Sequence, residues 1–335
     1  MALSALAWPL AAAAQSLRWD MPNEYPGTSI HGEGDQFFAR ALSERSGGRV
    51  AITHHFDAAL GYRSKDLLDA IGQGKVALGD MYVGALGGVD PIFLLPSLPF
   101  LAVTPAEARR LVEVPRPAYE VALARHNQML LYPSPWPPAG LWAKKPLTSL
   151  GDLSGLRVRT ADGNATVTMR AAGALPSQIS FADALPLLKS GAIDAVLSSG
   201  DGGAGDRLME TLTHFTAINY SMTMSMVTMN LDTWKSLPPD LQAAVRAAAE
   251  AASERQWKEI VNRVTANYAR MRARGITIVT ELSPEYERGL RAAGQVAVDE
   301  WLARMGPPGK DILDRYRARL AIAPAGGATS AGGIR

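Results

Sequence analysis

The chain has no cysteine. That removes disulfides, iron–sulfur clusters, thiolate zinc sites and cysteine nucleophiles from consideration at once. It also has almost no excess of charge: 34 Lys and Arg stand against 32 Asp and Glu, scattered along the chain, so no nucleic-acid surface is expected. Beyond the N-terminal stretch, no apolar run approaches the ~18 residues of a membrane span, and no direct membrane insertion is expected. Gly32-Glu33-Gly34, Gly72-Gln73-Gly74-Lys75 and Gly84–Gly88 lack a full phosphate-loop or dinucleotide pattern and read as turns. Histidine is scarce too. The five His residues have no metal-ligand spacing, and His54 and His55, adjacent on a strand, point to opposite faces, so no metal or cofactor is expected. Ser198-Ser199-Gly200 lacks the preceding Gly of a nucleophile elbow and no His follows His214, which argues against a triad hydrolase.

What is present is an ordinary globular composition, 47% hydrophobic and 20% charged, in 335 residues. At roughly 150 residues per domain, two domains are expected. Leu3 to Leu10 followed by Ala11-Ala12-Ala13-Ala14 resembles the core and cleavage site of a secretory signal, with an Ala-rich helix as the other reading. Residues 1–14 are therefore taken as a signal remnant, and export is expected.

Periodicity then predicts an α/β series. Strands are expected at Leu17–Met21, Val50–Phe56, Val76–Val83 and Met129–Tyr132, with helices at Asp35–Arg45, Ser64–Ile71 and Pro105–Val112. The four prolines between Pro133 and Pro138 are expected to stop regular structure and carry the chain across to a second domain. There, strands at Leu156–Arg159 and Ile193–Leu197 alternate with helices at about Asn164–Ala172 and Ala182–Ser190. Tyr220–Asn230 should run extended back to the first domain, its Met222, Met224, Met226 and Met229 serving as packing. Apolar spacing from about Pro239 to Arg274 predicts one helix of roughly 50 Å, longer than a small domain is wide. A strand at Ile276–Val279 and a helix from about Pro284 to Met305 follow.

Arg159 stands where a strand ends and a loop begins, the position at which open α/β sheets bind ligands, with Arg157 on the same face. By itself this does not separate a ligand anchor from a solvated surface charge.

A set of ordered segments now resembles one family. They are Ser46-Gly47-Gly48-Arg49-Val50, Leu98-Pro99-Phe100, Asp152-Leu153-Ser154-Gly155-Leu156-Arg157-Val158-Arg159, Phe181-Ala182-Asp183, Gly191-Ala192-Ile193-Asp194-Ala195 and Leu237-Pro238-Pro239-Asp240-Leu241-Gln242. The chain resembles, over about residues 17–315, the substrate-binding proteins of tripartite ATP-independent periplasmic (TRAP) transporters of the dicarboxylate-binding type. The resemblance implies a two-lobed, Venus-flytrap α/β fold with a long helix spanning both lobes. It divides the chain into 15–136 plus 224–263 as lobe I, 137–223 plus 264–322 as lobe II, and 323–335 as a flexible tail.

By the family's motif, Arg159 matches the arginine that holds the ligand carboxylate, and Phe181 a pocket aromatic. Ser198 falls where sialic-acid binders often carry Asn, and Tyr82 where they carry an acid. Asn23, Glu24, Tyr25 and Thr28 match the first ligand loop, and Trp136 and Tyr220 complete the candidate set. Further arginines of the sialic-acid binders would fall near Ala139 and Ala85, so the pocket is expected to be less polar, with Trp136, Trp142, Tyr82 and Phe181 bordering an aromatic or branched side chain. Where a cation-binding branch carries an acid–Trp pair, this chain has Val196-Leu197-Ser198, which implies no metal. The expected function is capture of a small monocarboxylate, an aromatic or branched 2-oxo or 2-hydroxy acid, for delivery to a separate membrane permease, without catalysis. A ligand-sensing receptor of the same fold and a small-molecule hydrolase are the alternatives.

Overall fold

In the computed structural model, which describes residues 16–322, the chain begins in the first of two lobes. The expected signal remnant (1–14) and tail (323–335) lie outside the described residues. Strand β1 (Leu17–Pro22) pairs in parallel with β2 (Val50–His55), Leu17 opposite Val50, and α1 (Ile30–Arg45) makes the crossover. Helix α1 begins one turn before the expected Asp35, capped by Ser29, whose hydroxyl accepts from the Gly32 amide. Gly32 and Gly34 weaken the helical signal in sequence. Gly34 has a packing reason, because a Cβ there would lie 2.6 Å from the buried Gln256 side chain.

Helix α2 (Ser64–Gly72) leads to β3 (Leu78–Tyr82), and a parallel bridge between Asn23 and Asp80 joins β3 to the end of β1. The twice-broken apolar stretch that follows forms 3₁₀ turns at Val83–Leu86 and Pro91–Ser97. Next come α3 (Pro105–Glu113), with a capping box from Thr104 and Glu107, α4 (Arg116–Ala124), which periodicity did not reveal, and β4 (Gln128–Pro135). The prolines do not end β4 at Tyr132 as expected. It is an edge strand, paired on one side only, with Met224–Asn230, so a missing N–H breaks no ladder on the free side.

The second lobe is a six-stranded sheet. Its elements are β5 (Gly140–Ala143), α5 (Leu150–Leu153), β6 (Arg157–Thr160), α6 (Gly163–Ala171), β7 (Leu175–Gln178), α7 (Phe181–Lys189), β8 (Ala195–Ser198), α8 (Gly202–Met209) and β9 (His214–Thr216). The chain then returns as β10 (Met224–Asn230), α9 (Leu231–Ser236), α10 (Pro239–Ala273), β11 (Thr277–Val279), α11 (Pro284–Met305) and α12 (Pro307–Ile322). The strand order is β11–β9–β5–β8–β6–β7.

Each lobe places a strand that has just crossed from the other at an inner position of its sheet. β10 runs antiparallel to both β3 and β4, and β5 antiparallel to both β8 and β9, whereas β6 with β7, β6 with β8 and β9 with β11 are parallel. The crossing segments bond to each other: Trp136 N to Thr223 O at 2.9 Å, Ala139 N to Ser221 O at 3.1 Å and Tyr220 N to Ala139 O at 2.8 Å.

Helix α10 has 35 residues, about 50 Å at 1.5 Å per residue. Leu241, Val245, Ala248 and Ala252 pack on Phe38 and Leu42 of the first lobe, while Met271 joins a second-lobe cluster with Trp142 and Phe215. Helix α11 also spans both lobes. Tyr286 and Leu290 pack on Met169 of the second lobe, and Trp301 joins the first-lobe core, its indole N–H donating to Pro91 O at 2.7 Å. Residues 307–322, grouped by sequence with the second lobe, go elsewhere. Ile312, Leu313 and Tyr316 of α12 are buried with Leu111 and Val112 of α3, because the α11 crossing has already brought the chain back. Among the described residues no helix is long and apolar enough to cross a membrane.

Candidate functional site

A cavity of about 520 Å³, counting the part open to solvent, lies between the lobes. Its wall combines Tyr25 and Tyr82 of the first lobe, Trp136 and Tyr220 of the crossing segments, and Arg159, Phe181 and Ser198 of the second. An adjoining cavity shares Tyr25, Tyr82, Arg159 and Ala161 and adds Glu24, Arg63 and Asp183.

Arg159 is the penultimate residue of β6, and alternation on that strand turns it away from the core side that Val158 occupies. It is 3% exposed. Its Nε donates to the Ile179 carbonyl at 2.8 Å, and its guanidinium carbon lies 5.9 Å from the centre of the Phe181 ring. Among the described residues no carboxylate lies within 4.0 Å of it. Arg157, on the same face at the start of the strand, is exposed and makes a two-pronged pair with Asp194 at 2.6 and 2.8 Å. A buried guanidinium without an acidic partner carries a desolvation cost that a carboxylate ligand would offset.

Phe181 opens α7 behind its cap, Ser180, and stacks on Tyr25 with ring centres 5.6 Å apart. Tyr25 in turn meets Trp136 edge-on at 4.7 Å, and Trp136 donates its indole N–H to Ser225 at 3.1 Å. Burial, with Glu24 nearby, raises the Tyr25 pKa, so its hydroxyl stays protonated. Ser198, the last residue of β8, accepts from the Gly200 amide at 3.2 Å. The Tyr220 hydroxyl is 3.2 Å from that of Thr168. Ala139 lines the first cavity and Ala85 the adjoining one.

Asp162 was not singled out from the sequence. It caps α6, with one oxygen accepting from the Ala165 amide at 2.9 Å and the other from the Tyr82 hydroxyl, across the lobe boundary, at 2.6 Å. Burial pushes its carboxyl above the usual range, and burial together with Asp162 pushes the Tyr82 phenol up. Its only signal in sequence was that of a helix cap, Asp162 before Gly163-Asn164-Ala165. Ser199 and Thr223 also line the cavity unannounced.

Several expected lining residues make their main contacts with protein, Glu24 while still bordering the adjoining cavity. Trp142 is fully buried and packs on Phe215 at 5.1 Å, because β5 is an inner strand with its outer face covered. Thr28 accepts from the Gly203 amide at 3.0 Å. The Glu24 carboxylate accepts from the backbone amides of Ser64 and Phe181, both at 2.8 Å. Asn23 lies behind the cavity, where its amide nitrogen donates to Asp35 at 2.8 Å and Asp80 at 3.1 Å and sits 3.2 Å from His31 Nδ1.

That buried trio of His31, Asp35 and Asp80 is the one group among the described residues whose spacing suits a metal ion. Residues 31, 35 and 80 meet through the α1 turn and the β1–β3 bridge, which spacing alone did not reveal. Asn23 Oδ1 accepts from the Tyr25 amide at 2.9 Å, which fixes the amide with its NH₂ toward the two carboxylates, where a cation would sit. Burial and Asp80 hold Asp35 well above the ordinary carboxylate range. The cluster therefore reads as a hydrogen-bonded support beneath Tyr25 and Trp136, both of which touch the His31 ring, although His31 Nε2 and Asp80 Oδ1 are buried there without a partner among the described residues.

Residues 23–304 match the family model described as bacterial extracellular solute-binding protein, family 7 (DctP). A solute-binding protein of Chromohalobacter salexigens is 23% identical over 259 residues, 75% of this chain and 76% of that one. The crystal structure of a Bordetella pertussis extracytoplasmic solute receptor binding pyroglutamic acid superposes with a TM-score of 0.85 at 28% identity, covering 90% of this chain and 99% of that one. A marine-metagenome TRAP solute-binding protein specific for pyroglutamate superposes with a TM-score of 0.86 at 27% identity, covering 91% and 99%.

Proposed function

The chain belongs to the DctP family of bacterial extracellular solute-binding proteins and is a TRAP-type substrate-binding protein of two lobes, and from that premise we propose that it captures a small cyclic monocarboxylate through Arg159. The observation that carries this is Arg159 itself: a buried guanidinium, without a carboxylate partner among the described residues, facing a compact and mostly apolar cavity. The two pyroglutamate-binding structures support the cyclic class. The pairing of Asp162 with Tyr82 offers an acceptor for a ring N–H, and Ser198 and Ser199 offer donors for a ring carbonyl. Phe181, Tyr25, Trp136 and Tyr220 enclose the ring faces. This reading replaces the aromatic or branched 2-oxo and 2-hydroxy acids expected from sequence with a smaller, more polar ring.

In this reading the first lobe comprises 16–136 with 224–263 and the second 137–223 with 264 onward, α11 (Pro284–Met305) spanning both and 307–322 packing on the first. The protein works in the periplasm, releases its ligand unchanged and delivers it to a membrane permease that is a separate polypeptide. The family and its compared members are solute receptors rather than enzymes.

Thermal-shift and calorimetric titration with L-pyroglutamate, its amide and 2-oxoisovalerate test the proposal. The acid at 100 times its Kd is expected to add about 2.7 kcal/mol to the folded state, and the amide to add far less. Arg159→Lys, which keeps the charge but loses the planar fork, is expected to weaken binding by about 1.5–3 kcal/mol, roughly tenfold to a hundredfold. Equal stabilisation by acid and amide, or an unchanged affinity in Arg159→Lys, would move the anchor elsewhere. Stronger binding of 2-oxoisovalerate would restore the branched-acid reading.

A further inference from the structure

Glu24 is a residue of the first lobe, placed just past β1, with 3% of its surface exposed. Both of its carboxylate oxygens are engaged by backbone. Oε2 accepts from Ser64 N at 2.8 Å, the first residue of α2 in its own lobe. Oε1 accepts from Phe181 N at 2.8 Å and, more weakly, from Ala182 N at 3.4 Å, the first two residues of α7 in the opposite lobe. One carboxylate thus closes the orphan amides of two helices that approach from different lobes, at the positive ends of both. The same bonds hold Glu24 to the backbone beside Arg159 without an ion pair between them among the described residues.

We propose that Glu24 is a positioning residue that clamps the two lobes shut across the mouth of the cleft, by joining the N-termini of α2 and α7 and so seating Phe181 against Tyr25. The inference rests on the reading that the lobes part and close around a ligand held by Arg159. It gives Glu24 a role apart from ligand contact: it biases the open–closed balance. Gln in its place keeps the shape but sets an NH₂ donor against one of the N–H donors and removes the charge that both helix ends attract.

The absence of native cysteine allows the test to be made on the full chain, with spin labels on Leu60→Cys and Ser190→Cys, exposed positions in the first and second lobes. Pulsed dipolar spectroscopy on ligand-free protein is expected to give a short-distance population in the otherwise native sequence. Glu24→Gln is expected to reduce that population about tenfold. With L-pyroglutamate as probe, dissociation from Glu24→Gln is expected to be about tenfold faster, with association changed little. Arg207→Gln, which removes a more exposed interlobe pair to Asp57, is expected to shift either readout less than about twofold.

A native sequence with no short-distance population, identical distributions in Glu24→Gln, or an equal effect of Arg207→Gln would overturn the clamp. If Glu24→Gln does not fold, Glu24→Asp carries the comparison: one methylene shorter, it reaches one helix end but not both, and is expected to open the lobes in the same direction. Failure of L-pyroglutamate to bind the native protein would sink the ligand reading, while the ligand-free distances would still decide the clamp.

Discussion

A single buried side chain can be defined by what it lacks. Arg159 is held at one nitrogen by the Ile179 carbonyl and framed by Phe181, contacts that would orient the fork for the proposed carboxylate. Pre-orientation of this kind lowers the entropy cost of binding, and a lysine at the same point would offer one strongly hydrated ammonium in place of two parallel bonds. His54, on β2, shows the opposite case, a titratable group with nothing to gain from charge. Its ring stacks on Phe56 at 5.2 Å, its Nδ1 is buried without a partner, and burial, with Arg40 nearby, lowers its pKa to about 4. The unfolded chain takes up this proton near pH 6.5 and the folded chain only near pH 4, so the native state loses stability as pH falls through that window and gains nothing further above it. Because the ring is only half-buried, the expected loss is about 1–2 kcal/mol, roughly half of what the full shift would imply. His54→Phe should remove it, seen as a smaller difference between urea unfolding at pH 4.5 and at pH 7.

At the scale of an element, α10 works as a backbone for the whole molecule because its composition changes along its length. Small Ala residues at 244, 248, 249 and 252 admit α1 closely, and one buried amide, Gln256, then ties three elements together. Its nitrogen donates to Ile30 O of α1 at 2.6 Å and to Ser134 Oγ of β4 at 2.8 Å, while its oxygen accepts from Arg255 at 2.7 Å. Gln256→Leu preserves volume and strands these partners, so a loss of about 1–3 kcal/mol in urea-unfolding free energy is expected, the range for buried polar groups left unpaired. A change below about 0.5 kcal/mol would mean that the packing of α1 on α10 does not need the bonds.

Across the whole molecule, two of the contacts between the lobes have reciprocal chemistry. Glu24 of the first lobe reaches the N-terminus of α7, and Asp201 of the second reaches the N-terminus of α1, accepting from Ile30 N at 2.6 Å. Arg263 and Asn267 of α10 bind the same Asp201 at 2.6 and 2.7 Å, so this second junction is fastened to the helix that spans both lobes. Gly202 makes the approach possible: its φ is +52°, and a Cβ there would collide with the Thr28 carbonyl. Gly202→Ala is expected to cost about 1–2 kcal/mol for the backbone alone and to push α8 away from the first lobe. Small-angle scattering should then show a larger radius of gyration than the native protein; an unchanged radius would mean that the junction accommodates the methyl group by local movement.

The sequence by itself determined the two-lobed α/β architecture, because strand and helix periods are local and repeat in order, and it determined the long helix, because apolar spacing persists from Trp257 to Met271. It also brought Arg159 into consideration, since a residue at the end of a parallel strand is placed by topology before any contact is known. Only the tertiary structure decided the rest. Strands as short as β5, β7 and β9 exist through pairing and leave little pattern of their own, β4 runs through two prolines because one of its edges is free, and α12 joins the first lobe because α11 has carried the chain across. Asp162 met Tyr82, and Glu24 met Phe181, over separations of 80 and 157 residues. A side chain's partners across a cleft depend on how two lobes approach, and no local property of the chain encodes that geometry.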